Sequence, residues 1–85
     1  MNNRWIYEST NYTICDLVHK RYIKCYYDDG CLYNVTWCDS PLDSTLFMSN
    51  EEAKNCLCEL EEDNFIPKNL VKCIVEVKTV NEVSI

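Results

Sequence analysis

Alternating apolar and polar residues mark the first half of the chain as β-structure. Residues 4–8 and 12–18 are rich in aromatic and β-branched types, and residues 9–11 between them are turn-like. These segments are predicted either as one bulged strand or as the two strands of a short hairpin.

The clearest pattern is a β-hairpin over residues 21–38. Both strands alternate with a period of two, and Asp28-Asp29-Gly30 between them is typical of a tight turn, because Gly30 can adopt a positive φ. The residues predicted to share the inward face of this hairpin are Ile23, Cys25, Tyr27, Cys31, Tyr33, Val35 and Trp37.

A helix is predicted to begin after a loop at residues 39–45 and an apolar plug, Leu46-Phe47. Ser49 with Glu52 three residues later forms a capping box, and Met48 is expected to staple onto Ala53. Asn64 is expected to end the helix in the left-handed conformation. Apolar residues at i, i+3, i+4 and i+7 give the helix one buried stripe: Ala53, Cys56, Leu57 and Leu60.

Residues 70–80 predict a last strand whose inner face carries Val71, Cys73, Val75 and Val77. The element order is therefore β-β-β-α-β. It predicts a single α+β domain over residues 1–85, in which one helix covers one face of a small antiparallel sheet. The other face of the sheet is expected to meet solvent.

The net charge of the chain favours one class of binding partner over others. Fourteen acidic residues against eight basic ones give a formal net charge of −6, which argues against direct binding of nucleic acid or an anionic membrane and favours a basic protein surface. The alternative is that negative charge serves solubility alone. No apolar run reaches the length of a membrane span or the h-region of an export signal, so we expect a cytoplasmic protein.

Seven cysteines raise the question of disulfides or metal. An odd number fits a disulfide framework poorly, although two sequons, at Asn11 and Asn34, point the other way. Cys25, Cys31, Cys56 and Cys73 occupy positions typical of small core residues, so reduced thiols are favoured over bridges. The Cys56-x-Cys58 pair falls on the predicted helix, where residues two apart point in different directions, so no metal is expected.

Catalysis is not expected. The only histidine, His19, lies in an apparent solvated turn beside Lys20 and Arg21, and a single glycine excludes a Gly-rich phosphate loop. Asp28-Asp29 is explained by its turn, and the run Glu61-Glu62-Asp63 by a solvated helix end. We therefore predict no enzyme and no cofactor.

A protein-binding surface remains as the functional hypothesis. Tyrosine is enriched in binding hot spots, and some of the six tyrosines must lie on the open face of the sheet, although they could merely cover it. The residues predicted to bind a partner are Asp28, Asp29, Glu51, Glu52, Glu59, Glu61, Glu62, Asp63, Tyr22 and Tyr26.

Three motifs resemble those of small bacteriophage and prophage proteins: Trp37-Cys38-Asp39, Leu46-Phe47, and Ser49-x-Glu51-Glu52-Ala53 followed by Leu57 and Leu60. Cys38 stands where those proteins usually have threonine. The resemblance implies a host-takeover or anti-defence factor, including anti-CRISPR-like inhibitors that act in the cytoplasm of the infected bacterium and whose carboxylates imitate nucleic-acid phosphates. Two alternatives stay open: a secreted disulfide-rich module that binds a host extracellular ligand, and a small zinc-binding regulator. A homodimer is compatible with each.

Overall fold

The computed structural model describes residues 4–84, with side chains placed for residues 5–82. The strands are β1 (Arg4–Asp16), β2 (Arg21–Asp28), β3 (Cys31–Cys38) and β4 (Lys72–Ser84), and the helix is α1 (Asn50–Glu62). They form one antiparallel sheet in the order β3-β2-β1-β4, which confirms the predicted small α+β fold. None of the helices among these residues has the length and apolar character needed to cross a bilayer.

The β2–β3 hairpin closes through the predicted turn and contains one bulge. Asp29 and Gly30 have φ of 53° and 79°, the pair of positive values that defines a type I′ turn. The register then shifts beside Tyr26, so that Leu32 lies opposite Tyr27 and Tyr33 is the extra residue. The bulge turns Leu32 inward and leaves Cys31 and Tyr33 exposed, so the prediction that these two face inward was wrong.

β1 is a single strand with neither a turn nor a bulge at residues 9–11. It pairs with β4 in one unbroken register from Arg4 opposite Ser84 to Asp16 opposite Lys72. Long cross-strand pairing therefore outweighs the local turn tendency of Ser9 to Asn11. The strand ends at Asp16 rather than at residue 18.

Asp16 is fully buried and organises the turn between β1 and β2. Its carboxylate accepts hydrogen bonds from the backbone N–H of Val18 (3.0 Å) and His19 (3.2 Å), and it lies 2.9 Å from His19 Nδ1 and Arg21 Nε. The Arg21 guanidinium in turn lies 4.4 Å from the centre of the Trp37 ring. One carboxylate thus links the ends of β1, β2 and β3.

The predicted apolar plug fills the gap where β1 and β2 diverge. The two strands pair only at Cys15–Asp16 and Arg21–Tyr22. Beyond that point Phe47 exchanges both backbone hydrogen bonds with Tyr12, and the Thr45 N–H donates to the carbonyl of Ile23. Phe47 is buried in the core.

The two ends of α1 are capped as the sequence predicts, with one difference. The Ser49 hydroxyl accepts from the Glu52 N–H at 3.0 Å, while the Glu52 carboxylate accepts from the Met48 N–H. Met48 is 81% exposed, so it does not form the expected staple onto Ala53. At the other end Asn64 has a φ of 61°, and the N–H groups of Asn64 and Phe65 close a Schellman motif.

The core lies between α1 and the sheet. Ala53, Cys56 and Leu60 pack on Ile14 and Ile23, with Ile74 of β4 packed against the same cluster. The assignment of the inner face of β4 was therefore wrong. Ile74 faces the helix, whereas Cys73, Val75 and Val77 point to the opposite face and Val71 precedes the strand and is exposed.

The face away from the helix is less open than expected. Thr13, Cys15 and Val77 alternate away from the helix side, and all three are buried. The Ser44 hydroxyl donates to the Thr13 hydroxyl at 2.9 Å, so the segment after the 3-10 turn at Pro41–Asp43 lies against this face.

Candidate protein-binding surface

The tip of the β2–β3 hairpin contacts the helix through Tyr27. The Tyr27 hydroxyl lies 3.7 Å from the Sγ of Cys56, a residue on the buried side of α1. Asp28 and Asp29 follow Tyr27 directly, and both are exposed at the turn. The contact therefore brings these two carboxylates to the side of the helix.

One flank of α1 presents acidic side chains toward this hairpin. Glu52 and Glu59 are four residues before and three residues after Cys56, so they lie on the side that Tyr27 touches. Helical spacing continues this flank toward solvent. We call the combined set the acidic surface: Asp28, Asp29, Glu51, Glu52, Glu59, Glu62 and Asp63, all exposed.

Helix stability does not explain the acidic residues at the C-terminal end of α1. Negative charge there opposes the helix macrodipole by about 0.3 to 1 kcal/mol per residue, and the last turn carries no basic residue. Glu59, Glu62 and Asp63 therefore stand where the helix alone would disfavour them.

Glu61 lies apart from the acidic surface. It is half-buried on the other flank of α1, and its Oε1 lies 3.0 Å from the Nζ of Lys72 in β4. This ion pair ties the helix to the sheet, so the Glu61 carboxylate has a structural role in the fold.

Tyr22 and Tyr26 are not brought together with the helix carboxylates. They alternate with Ile23 and Cys25, which face α1, so their rings lie on the opposite face of the sheet. The Tyr26 ring centre is 6.5 Å from that of Tyr33. The tyrosine that borders the acidic surface is Tyr27. Alternation along β2 predicts an inward side chain at this position, but Tyr27 lies near the end of the strand and is 47% exposed.

Three polar side chains form a small cluster under the acidic surface. Hydrogen bonding to Cys56 raises the pKa of the Cys25 thiol far above its usual range, with burial adding to the effect. The same bond from Cys25, together with the Tyr27 hydroxyl and against the effect of burial, lowers the pKa of Cys56 to about 7. Burial and the hydrogen bond to Cys56 raise the pKa of Tyr27. Cys56 therefore lies at the centre of the cluster, next to both Cys25 and Tyr27.

None of the seven cysteines is bridged to another in the structure, and two pairs of them are neighbours. Cys15 lies directly opposite Cys73 on the adjacent strand, and Cys25 contacts Cys56. Burial, with the nearby Cys73, raises the pKa of Cys15. Within residues 4–84, no three His, Cys, Asp or Glu side chains are grouped so that they could hold a metal ion.

The two sequons lie in different surroundings. Asn11 Nδ2 donates to the carbonyl of Phe47 at 3.4 Å, and Thr13 of the same sequon is fully buried. Asn34 is exposed on β3. A glycan on Asn11 would displace the contact with Phe47, so only the second sequon suits modification in the folded chain.

Comparison with known proteins gives no relative for this chain: no family model, no curated protein and no solved structure matches it.

Proposed function

We propose that this chain is a bacteriophage-encoded, anti-CRISPR-like inhibitor that binds a nuclease complex of a bacterial defence system in the cytoplasm of the infected host. In this proposal the acidic surface is the binding site. The observation that carries it is the contact between Tyr27 and Cys56, which holds the carboxylates of the hairpin tip beside those of the helix.

The physical basis is charge complementarity. Nucleases hold nucleic acid in grooves lined with lysine and arginine, and those side chains attract any rigid array of negative charge. Seven carboxylates on a capped helix and a tight hairpin form such an array. Tyr27 adds a half-exposed aromatic ring at its border, the type of residue that anchors interfaces.

The test is a plaquing assay in bacteria that carry an active CRISPR system targeting the infecting phage. Expression of the chain is expected to raise plaquing efficiency by orders of magnitude. Glu59→Lys/Glu62→Lys should abolish this protection. Asp39→Lys/Asp43→Lys changes the net charge equally at exposed positions outside the acidic surface, so it should protect as well as the wild type.

Two outcomes would contradict the proposal. One is a failure of the wild-type chain to protect the phage across representative defence nucleases. The other is equal protection by both double variants, because electrostatic docking at a defined surface must distinguish them. Circular dichroism of the purified variants checks that each has folded.

The neighbouring thiol pairs favour a second candidate, a secreted module stapled by disulfides that captures an extracellular ligand. Cys15 with Cys73, which lie opposite each other on adjacent strands, and Cys25 with Cys56 are the two pairs that this candidate would bridge. Mass spectrometry of the native protein without reductant distinguishes the candidates, since each bridge removes two hydrogens. Seven free thiols would exclude this second candidate.

A further inference from the structure

The first half of β1 and the second half of β4 form a two-stranded arm, residues 4–11 and 77–84. β4 pairs with β1 along its full length, whereas β2 reaches β1 only near Asp16. The molecule measures 54 × 32 × 21 Å, and its radius of gyration is 15.2 Å, compared with about 12 Å for a compact chain of this length. A two-stranded ribbon without further support is marginal in water.

The arm exposes large apolar side chains, which a further strand at its edge would partly cover. Trp5, Ile6 and Tyr7 are 64%, 69% and 51% exposed. They are consecutive residues of β1, so they project from both faces of the ribbon. A partner strand would shield both faces.

The backbone of β1 offers this partner a free edge. Tyr12 directs both its N–H and its carbonyl to Phe47, and strand geometry directs those of Thr10, Glu8 and Ile6 to the same edge. Within residues 4–84, nothing pairs with this edge between Arg4 and Asn11. Neither proline nor lysine occurs there, and the charged residues of this segment are Arg4 and Glu8.

Residues 4–8 are complementary to the same residues of a second copy when the two strands run antiparallel. If the two-fold axis passes through Ile6, Ile6 lies opposite Ile6 of the second copy and Trp5 lies opposite its Tyr7. By sequence, position 4 is arginine and position 8 is glutamate, so opposite charges also fall on paired positions. Aromatic, β-branched and opposite-charge pairs are the favourable cross-strand combinations.

Other registers that use the same edge lack this match. An axis at Tyr7 places Ile6 opposite Glu8, and an axis at Glu8 places two carboxylates against each other. Like charges directly opposite each other are destabilising. The axis at Ile6 is therefore the register that the described part of the edge favours.

We propose that two copies of this chain form a symmetric dimer in which residues 4–8 of β1 pair antiparallel with the same residues of the second copy. The two sheets then become one continuous sheet, and the interface is isologous, as two-fold dimers require. The acidic surface takes no part in this interface.

The test is sedimentation velocity of the full chain over a wide concentration range. The wild type is expected to form a dimer, and Ile6→Lys, which sets two lysines at the axis, should be monomeric under the same conditions. Val80→Lys is the matched control, because Val80 is equally exposed, at 69%, on the neighbouring strand away from the edge. Val80→Lys should remain dimeric, and a monomeric control would overturn the proposal.

A charge exchange tests the register itself. Arg4→Glu and Glu8→Arg should each weaken the homodimer about tenfold, since two cross-strand pairs change from attraction to repulsion. An equal mixture of the two variants should recover wild-type affinity as a heterodimer. If the mixture associates no better than either variant alone, the proposed register is wrong. If the wild type is monomeric at every concentration, the proposed dimer is wrong, and the free edge would have to pair with a different protein.

Discussion

At the scale of single residues, Asp16 shows how a polar group at a strand end can organise a fold. Four donors surround its carboxylate, two from the backbone and two from side chains. Its role could not be predicted from the sequence, because one aspartate beside Leu17 and Val18 looks like part of a strand edge. Nothing local indicates that Arg21 returns to it.

The pKa of Asp16 yields the first prediction. Burial alone would raise this pKa, but hydrogen bonds from the side chains of His19 and Arg21 and from the backbone of His19 and Val18 hold it well below its usual range. Because the folded pKa is the lower one, the ionised carboxylate stabilises the fold above the unfolded-state value of about 4, and this contribution is lost as the pH falls below it.

Asp16→Asn should accordingly be less stable than the wild type at pH 7, with the difference shrinking on acidification. Urea denaturation followed by circular dichroism between pH 7 and pH 3 measures both curves. If the difference in the free energy of unfolding between the two proteins stayed constant with pH, the pKa of this carboxylate would not change on folding.

At the scale of elements, α1 was predictable because its signals are local and agree with one another. The Ser49 cap, the stripe through Ala53, Cys56 and Leu60, and the left-handed Asn64 all lie within sixteen consecutive residues. The type I′ turn of the hairpin was predictable for the same reason.

Elements whose features depend on distant pairing were not predictable. The continuity of β1 through residues 9–11 comes from β4, more than sixty residues away in the sequence. The face of β4 was ambiguous because Cys73, Ile74 and Val75 are all apolar, so alternation cannot choose between them. The bulge at Tyr33 reverses the inward side of β3 only at its first residues.

The packing of α1 on the sheet gives a prediction for this scale. Leu60 is fully buried at the centre of the core, so Leu60→Ala should lower the free energy of unfolding by about 2 to 5 kcal/mol. Leu42→Ala removes the same atoms at a site that is 62% exposed and should change it by less than about 0.5 kcal/mol. If chemical denaturation shows the same loss in the free energy of unfolding for both variants, α1 does not pack on the sheet as described.

At the scale of the whole molecule, the two proposed interaction regions are separate. The acidic surface is built from α1 and the hairpin tip, whereas the dimer edge belongs to the arm of β1 and β4. A dimer would therefore present two copies of the acidic surface to a partner, which raises avidity if both can be engaged together. Tyr22 and Tyr26 lie on the other face of the sheet and belong to neither region.

The proposed function depends on the hairpin tip and the acidic flank of α1 forming one surface, and the contact of Tyr27 with Cys56 is its direct signature. NOE spectroscopy of isotope-labelled protein should give cross-peaks between the Tyr27 ring and the β-protons of Cys56. If these cross-peaks are absent and the Tyr27 ring contacts only its own hairpin, the carboxylates of the hairpin tip and those of α1 do not form a single acidic surface.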